Sequence, residues 1–501
     1  MTKKELGHIV KKIKNRKWKK RGQWNSNILL SEIFGEGEST SSIKKIGLPF
    51  KKDVGIWLNS GDYLDLEKNW QEARKIIEGN YKKDKKYLSK YANFCLKEGN
   101  NLVDYSKRIS KRKIKGVSND RLHKNYEDLI FVCKDYMPFM FSLHVFDAFL
   151  TENFDSLLKS FIKDKKKSSS DYFDYKEALT LPTKKIYVLK ERDDLQKIAE
   201  IIRSKKYKIN SVKVKALIER HYLRYGWINM VMLEDGPYTN KYFLNKLEKI
   251  IKNGDGDFRE NLKREAKIKR KNKEVMKEIK RYKDFYIISE MVQVFGFLRS
   301  FRLDVLYVAL FNGWDIFEEL AKRLKINAID LKHLSSEEVG KALNKNLNYK
   351  KIIKERKIKN CSIMIGDKRY ELTGRDCDFV SRYIKVNDNI NISNKEIKGN
   401  IAYPGKIKGF CRILHKISDM KRIKKGDILV ISMTDPNYIP AMEKAGAFVT
   451  DQGGILCHAS IVSREMKKPC IIGTKIATQV LNDGDLIEVD ANSGIIKIFN
   501  K

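Results

Sequence analysis

The chain has 501 residues, enough for two to four domains with cores of their own, and its 42% hydrophobic content excludes a disordered polymer. Its 103 basic and 64 acidic side chains give a formal charge of +39, which fits either a polyanion partner or a lysine-rich compositional bias. Residues 395–501 hold 17 basic and 11 acidic side chains, a balance of +6 that leaves +33 upstream, so the excess is diffuse rather than gathered in one arm.

Residues 1–50 are expected to form a basic N-terminal segment, helical at first, with a mobile connector at Gly35–Ser42 (GEGESTSS). The N-terminus lacks the apolar core of a signal peptide. Residues 51–385 read as a mainly helical linker or substrate-type domain with small β-hairpins. A strand pair at Val54–Leu58 and Tyr63–Leu66 turns through Asn59-Ser60-Gly61-Asp62. Helical periodicity follows near 67–98, 120–150, 192–204, 212–225, 240–253, 258–310 and 314–325. The most apolar segment, Pro138–Leu150, is interrupted by His144 and Asp147 and is too short to span a bilayer. The basic runs Lys107–Lys115, Lys163–Lys167 and Leu262–Lys283 fit solvated helix faces or a polyanion-binding arm. Lys357–Leu372 reads as a hairpin turning at Gly366-Asp367. Two segments could line a substrate site, His221–Asp235 and Phe297–Asp304. His221, Asp235, Arg302 and Asp304 are the groups there able to orient an anion or a hydroxyl, although the aromatic spacing fits core packing as well.

Residues 386–396 are polar and Asn-rich and read as a hinge. From residue 397 to 501 the pattern changes to short strands and turns, the grammar of a compact α/β domain: Lys406–Leu414, Asp427–Met433, a short helix at Pro440–Ala445, and a last hairpin Asp485–Phe499 turning at Asn492-Ser493-Gly494. Seven cysteines stand no closer than 13 residues apart, so there is no CxxC motif, no metal site is expected, and the odd count suits a reducing, cytoplasmic compartment.

Within this domain Thr450–Thr474 reads TDQGGILCHASIVSREMKKPCIIGT. An apolar run leads into Gly453 and Gly454. His458 then opens a helical pattern in which Ala459, Ile461, Val462 and Met466 share a face, and Pro469 and Cys470–Ile472 close the unit at Gly473. Glycines let backbone approach a ligand, and the N–H groups of a helix start favour negative charge, so a histidine placed there is suited to carry a phosphoryl group.

The stretch resembles the phosphohistidine signature of the phosphoenolpyruvate-utilising enzymes, on Gly453, Gly454, His458, Ala459, Ile461, Val462, Arg464, Glu465, Pro469 and Gly473. The resemblance extends over 397–501, including Gly399–Gly405 and the Thr434-Asp435-Pro436 turn. Leu456 stands where that family commonly has Thr and is more similar to the rifampin phosphotransferase branch. The resemblance implies an α + α/β protein, a large mainly α-helical N-terminal region followed by a swivelling β/β/α phosphohistidine domain. It also implies His458 as the catalytic residue, with Gly453, Gly454, Cys457, Ala459 and Ser460 stabilising phosphoryl oxygens.

No ATP-grasp pattern or Walker motif is visible, and no barrel follows before Lys501. The resemblance therefore implies a donor, ATP with Mg or phosphoenolpyruvate, bound by an ATP-grasp or other partner subunit, with no cofactor on this chain itself. It implies a small-molecule acceptor as the second partner. The competing expectation is a non-catalytic scaffold with a relic carrier domain, whose basic helices bind nucleic acid or a protein.

Overall fold

The computed structural model describes residues 1–499 apart from 24–26, 49–53, 59–61, 181, 183, 255, 385–395, 416, 435–437 and 455–456. The expected hinge, all but Glu396, lies outside the described residues, as do Leu456, Asp435 and Pro436 and most of the Asn59–Asp62 turn.

The helical body is organised on the 30-residue helix Lys283–Asn312, which buries side chains from Phe285 to Leu310 on all sides, as a helix enclosed by others must. Tyr87–Ser110 and Pro138–Asp164 pack along it. The close approach depends on Gly99, where a Cβ would stand 2.5 Å from the Phe301 ring. The apolar periodicity expected over 120–150 is divided between Asn119–Tyr136 and Pro138–Asp164, because proline at a first helical position starts a new helix without losing a bond. The 258–310 stretch divides likewise into Gly256–Ile279 and Lys283–Asn312. Among the described residues one helical stretch, Asn119–Asp164, is long and apolar enough to cross a membrane, and 72% of its apolar window is buried inside the body.

Five strands cap one end: β1 (Trp18–Gln23), β2 (Val54–Leu58), β3 (Asp62–Leu66), β4 (Asn360–Ile365) and β5 (Lys368–Thr373), in the order β1-β3-β2-β4-β5. All neighbours are antiparallel, and the β4–β5 hairpin turns at Gly366-Asp367 with Gly366 at φ +62°. Ile9, Ile13 and Trp18 share a core cluster with Ile363, Leu372 and Val380.

Residues 1–50 are thus built into the same body and are not a separate segment. The supposed connector Gly35–Ser42 ends one helix, Ile28–Gly37, and begins another, Thr40–Lys45. Its glycines serve packing rather than mobility: a Cβ on Gly37 would sit 2.4 Å from that of Met137. The same helix buries Glu32, whose carboxylate accepts from Lys134 at 2.6 Å.

The C-terminal unit is a sheet of β6 (Glu396–Lys398), β7 (Asn400–Tyr403), β8 (Lys406–Leu414), β9 (Ile428–Ile431), β10 (Ala447–Thr450), β11 (Cys470–Ile472), β12 (Leu486–Asp490) and β13 (Ile495–Ile498), ordered β6-β13-β12-β8-β9-β10-β11-β7. Its centre, β8 to β11, is parallel and its flanks antiparallel. Every residue of β9 and β10 is buried, with one apolar cluster on each face of the sheet. The helix His458–Met466 joins β10 to β11. It also meets the helical body, since Arg464 Nη1 donates to Thr180 Oγ1 at 2.7 Å in a buried contact.

Candidate active site

The chain leaves β10 at Thr450, and Asp451 pins the turn by accepting from Thr474 Oγ1 at 3.0 Å and from the Thr478 amide at 3.1 Å. Gly453 then adopts φ +124°, where a Cβ would come within 2.7 Å of Cys457 Sγ; a glycine is required on both counts. Cys457 is the N-cap of the helix, its Sγ accepting from the Ser460 amide at 3.4 Å. The amides of His458 and Ala459, in the first turn, have no acceptor within their own helix by position, so the helix start keeps N–H groups for an anion.

His458 Nδ1 is 2.9 Å from Thr434 Oγ1, while Nε2 is buried and has no hydrogen-bond partner among the described residues. Burial, and secondly the positive charge of Arg299, lower its pKa to about 4. The imidazole is therefore neutral near pH 7. With Nδ1 engaged by the Thr434 hydroxyl, Nε2 is the ring nitrogen left open, and in the tautomer that carries its proton on Nδ1 it holds the free lone pair that a nucleophile needs.

His458 faces a cavity of about 430 Å³ shared by the two units, within the size range of small-molecule sites. Gly453, Gly454, Cys457 and Ala459 line it from the side of the C-terminal unit, together with Thr434 and Gln452. Aromatic and aliphatic side chains of the helical body form most of the opposite wall, among them Trp57, Trp70, Phe141, Tyr187, Trp227 and Met232. Trp57 stacks on Tyr63 at 4.9 Å, and Tyr187 meets Trp227 edge-on at 5.5 Å. Met232 and Leu233 both take left-handed backbone, at φ +56° and +51°. That strain is held by the Tyr307 hydroxyl, which accepts from the Met232 amide at 2.9 Å, and by Asn27, which donates to its carbonyl at 2.9 Å.

The charged groups gather where the units meet. Asp147 pairs with Arg299, and a Cβ on Gly454 would stand 3.5 Å from the Asp147 carboxylate and 3.3 Å from Thr151 Oγ1. Arg302 is buried, donating to the Met140 carbonyl at 2.6 Å and lying 3.0 Å from His144 Nε2. Burial, with Arg299 nearby, lowers its pKa to about 10, so it stays charged near pH 7. Asp304 also lines the cavity; its Oδ2 is buried with no hydrogen-bond partner among the described residues, and burial raises its pKa to about 8.

Of the residues singled out from sequence, Arg302 and Asp304 line the cavity with His458, Gly453, Gly454, Cys457 and Ala459. His221 and Asp235 do not. His221 is buried against Glu191 at 3.2 Å, and Lys246 neutralises the same carboxylate, so it belongs to a core ion cluster. Asp235 is exposed beyond the strained turn. Ser460 points inward, donating to the Gly454 carbonyl at 3.0 Å, and shapes the loop rather than facing the cavity. Asp147, His144 and Arg299 were not singled out as site residues. Their signal was available: His144 with Asp147 and Arg299 with Arg302 are ionisable pairs three residues apart, hence on one face, each within a locally apolar run of its helix. Among the described residues no group of three or more His, Cys, Asp or Glu is placed to hold a metal ion.

Residues 423–494 match the family described as PEP-utilising enzyme, mobile domain. The chain is 46% identical over 100 residues to the probable phosphoenolpyruvate synthase of Archaeoglobus fulgidus, covering 20% of this chain and 13% of that one. It is 45% identical over 100 residues to phosphoenolpyruvate synthase of Pyrococcus furiosus, covering 20% and 12%. With that of Escherichia coli it shares 44% over 86 residues, covering 17% and 11%. The similarity thus spans about an eighth of the length of these curated relatives.

Proposed function

We propose that the protein is a phosphotransferase component in which His458 carries a phosphoryl group from a donor site to an acceptor held in the cavity of the helical body. The observation that carries this reading is the pairing of a neutral imidazole, its Nε2 free and its Nδ1 held by Thr434, with a cavity that both units line. The likeness of residues 423–494 to the mobile domains of phosphoenolpyruvate-utilising enzymes supports it.

In the first step Nε2 attacks a donor phosphoryl group, forming the N–P bond as the bond to the donor's leaving oxygen breaks. The donor is ATP with Mg, or phosphoenolpyruvate, bound by an ATP-grasp or other partner polypeptide. The amides of the helix start, with Gly453 and Gly454 close by, meet the phosphoryl oxygens. In the second step, with the units docked as here, an acceptor oxygen forms the new P–O bond and Nε2 leaves as neutral imidazole. The hydroxyl proton passes to Asp147, whose carboxylate abuts Gly454, while Arg299 turns toward the transferring group. Docking excludes water from a labile phosphoryl bond.

The test is direct labelling. Wild type treated with phosphoramidate, or with ATP, Mg and a co-purifying ATP-grasp protein, should acquire acid-labile, alkali-stable phosphate, and His458→Ala none. Absence of such phosphate from wild type under both treatments would remove the proposal.

A further inference from the structure

Three polar atoms of the cavity residues are shut off from solvent with no hydrogen-bond partner among the described residues: Nε2 of His458, Nε of Arg302 and Oδ2 of Asp304. Folded chains leave few such atoms, and three around one cavity mark a place where a ligand completes the bonding. They divide into two kinds. The charge of Arg299 bears both on Arg302 and on His458, so the cations belong to the reacting end. Both already have protein partners, Asp147 for Arg299, and the Met140 carbonyl and His144 for Arg302, and that end suits the transferring phosphoryl group.

Asp304 belongs to a different environment. The charge that bears on it is that of Lys190, and the nearby ring is Tyr187. Burial keeps its carboxyl protonated near neutrality, since its pKa is about 8, so it presents an O–H donor rather than a negative charge. Most of the remaining wall is apolar or aromatic, and a three-carbon carboxylate would leave much of about 430 Å³ facing empty space, with the contacts of the lining forfeited.

Building on the carrier role above, we infer that the acceptor is a neutral hydroxyl compound with an aromatic or similarly broad apolar body and a second, hydrogen-bond-accepting oxygen. Its hydroxyl is set against His458 and its second oxygen is taken by Asp304. Tryptophans 57, 70 and 227 in the wall report on such a molecule.

The experiment titrates the full chain at pH 6 with 7-hydroxycoumarin, which has a phenolic hydroxyl at one end and a lactone carbonyl at the other, and follows tryptophan quenching. The inference expects saturable quenching that sodium pyruvate does not displace. Asp304→Leu, which keeps the branched shape and removes the donor, should weaken binding about tenfold, one neutral hydrogen bond's worth. Asp304→Asn keeps an N–H donor and should retain most of the affinity. 2-Naphthol, which lacks the carbonyl, should bind both wild type and Asp304→Leu alike. Absence of saturable binding, displacement by pyruvate, or equal affinity of Asp304→Leu for 7-hydroxycoumarin would overturn the inference. Labelling of His458 is read separately. Binding lost with labelling intact removes the acceptor class alone, and labelling lost with binding intact removes the carrier role and with it the term acceptor.

Discussion

In the C-terminal unit the groups around His458 come from one short stretch, Thr450 to Thr474, with Thr434 reaching in from the end of a neighbouring strand segment. In the helical body the facing wall is drawn from Trp57, Asp147, Trp227, Arg299 and Tyr307, residues far apart in the chain and joined only by packing. The difference follows from what each half does under the proposed function. A carrier meets a donor and an acceptor in turn, so its loop, helix start and imidazole must keep their geometry without help from either. An acceptor site stays in place, and it can be assembled from any helices that converge.

Four substitutions or conditions would break or sharpen that comparison. The largest effect belongs to the carrier: His458→Ala should abolish acid-labile phosphate while leaving the thermal unfolding of the helical body unchanged, because the residue sits at the junction rather than in that core. Next is Arg299→Ala, which leaves Asp147 buried and uncompensated. Calorimetry or denaturant unfolding should show a loss of about 3 kcal/mol in the helical body, with phosphate on His458 still forming. If labelling fell with it, the two halves would not be independent.

Thr434→Val removes the hydroxyl that holds His458 Nδ1 and orients the ring. Initial rates of phosphoramidate labelling should fall about five- to tenfold, corresponding to about 1 kcal/mol, with unfolding almost unaffected. The smallest effect is one of pH. Because burial holds the pKa of His458 near 4, its neutral, nucleophilic form persists as pH falls from 8 to 5. Labelling normalised to that of free N-acetylhistidine in the same mixture should therefore rise through that range, since an ordinary imidazole loses half of its neutral form at about 6.5. The same depression means that the unfolded chain binds the proton first. His458 thus contributes stability above about pH 6.5 that is lost as pH falls toward 4. A ratio that stays flat below pH 6.5 would show an imidazole open to water.

How far the sequence could be followed differs between the halves in the same way. The β10–helix–β11 unit was readable because alternation of apolar runs, paired glycines and a helical face all repeat within a few residues, where local sterics act. The hairpin at Gly366-Asp367 was readable for the same reason. The Gly35–Ser42 stretch was misread because glycine and serine favour turns and also permit close helix packing, and composition does not distinguish the two. His221 had the residue type of a site and proved to be a partner of Glu191, a pairing 30 positions distant in the chain.

By itself the sequence determined the local frame of His458: the glycine turn and helix start around it are set by backbone preferences that need no distant contact. Only the tertiary structure decided what that residue faces. Helix packing brings Asp147, Arg299 and Asp304 to one cavity with His458, and burial there holds the imidazole neutral and the Asp304 carboxyl protonated. Desolvation depends on everything that surrounds a group, which is why neither the cavity nor its charge states could be read along the chain.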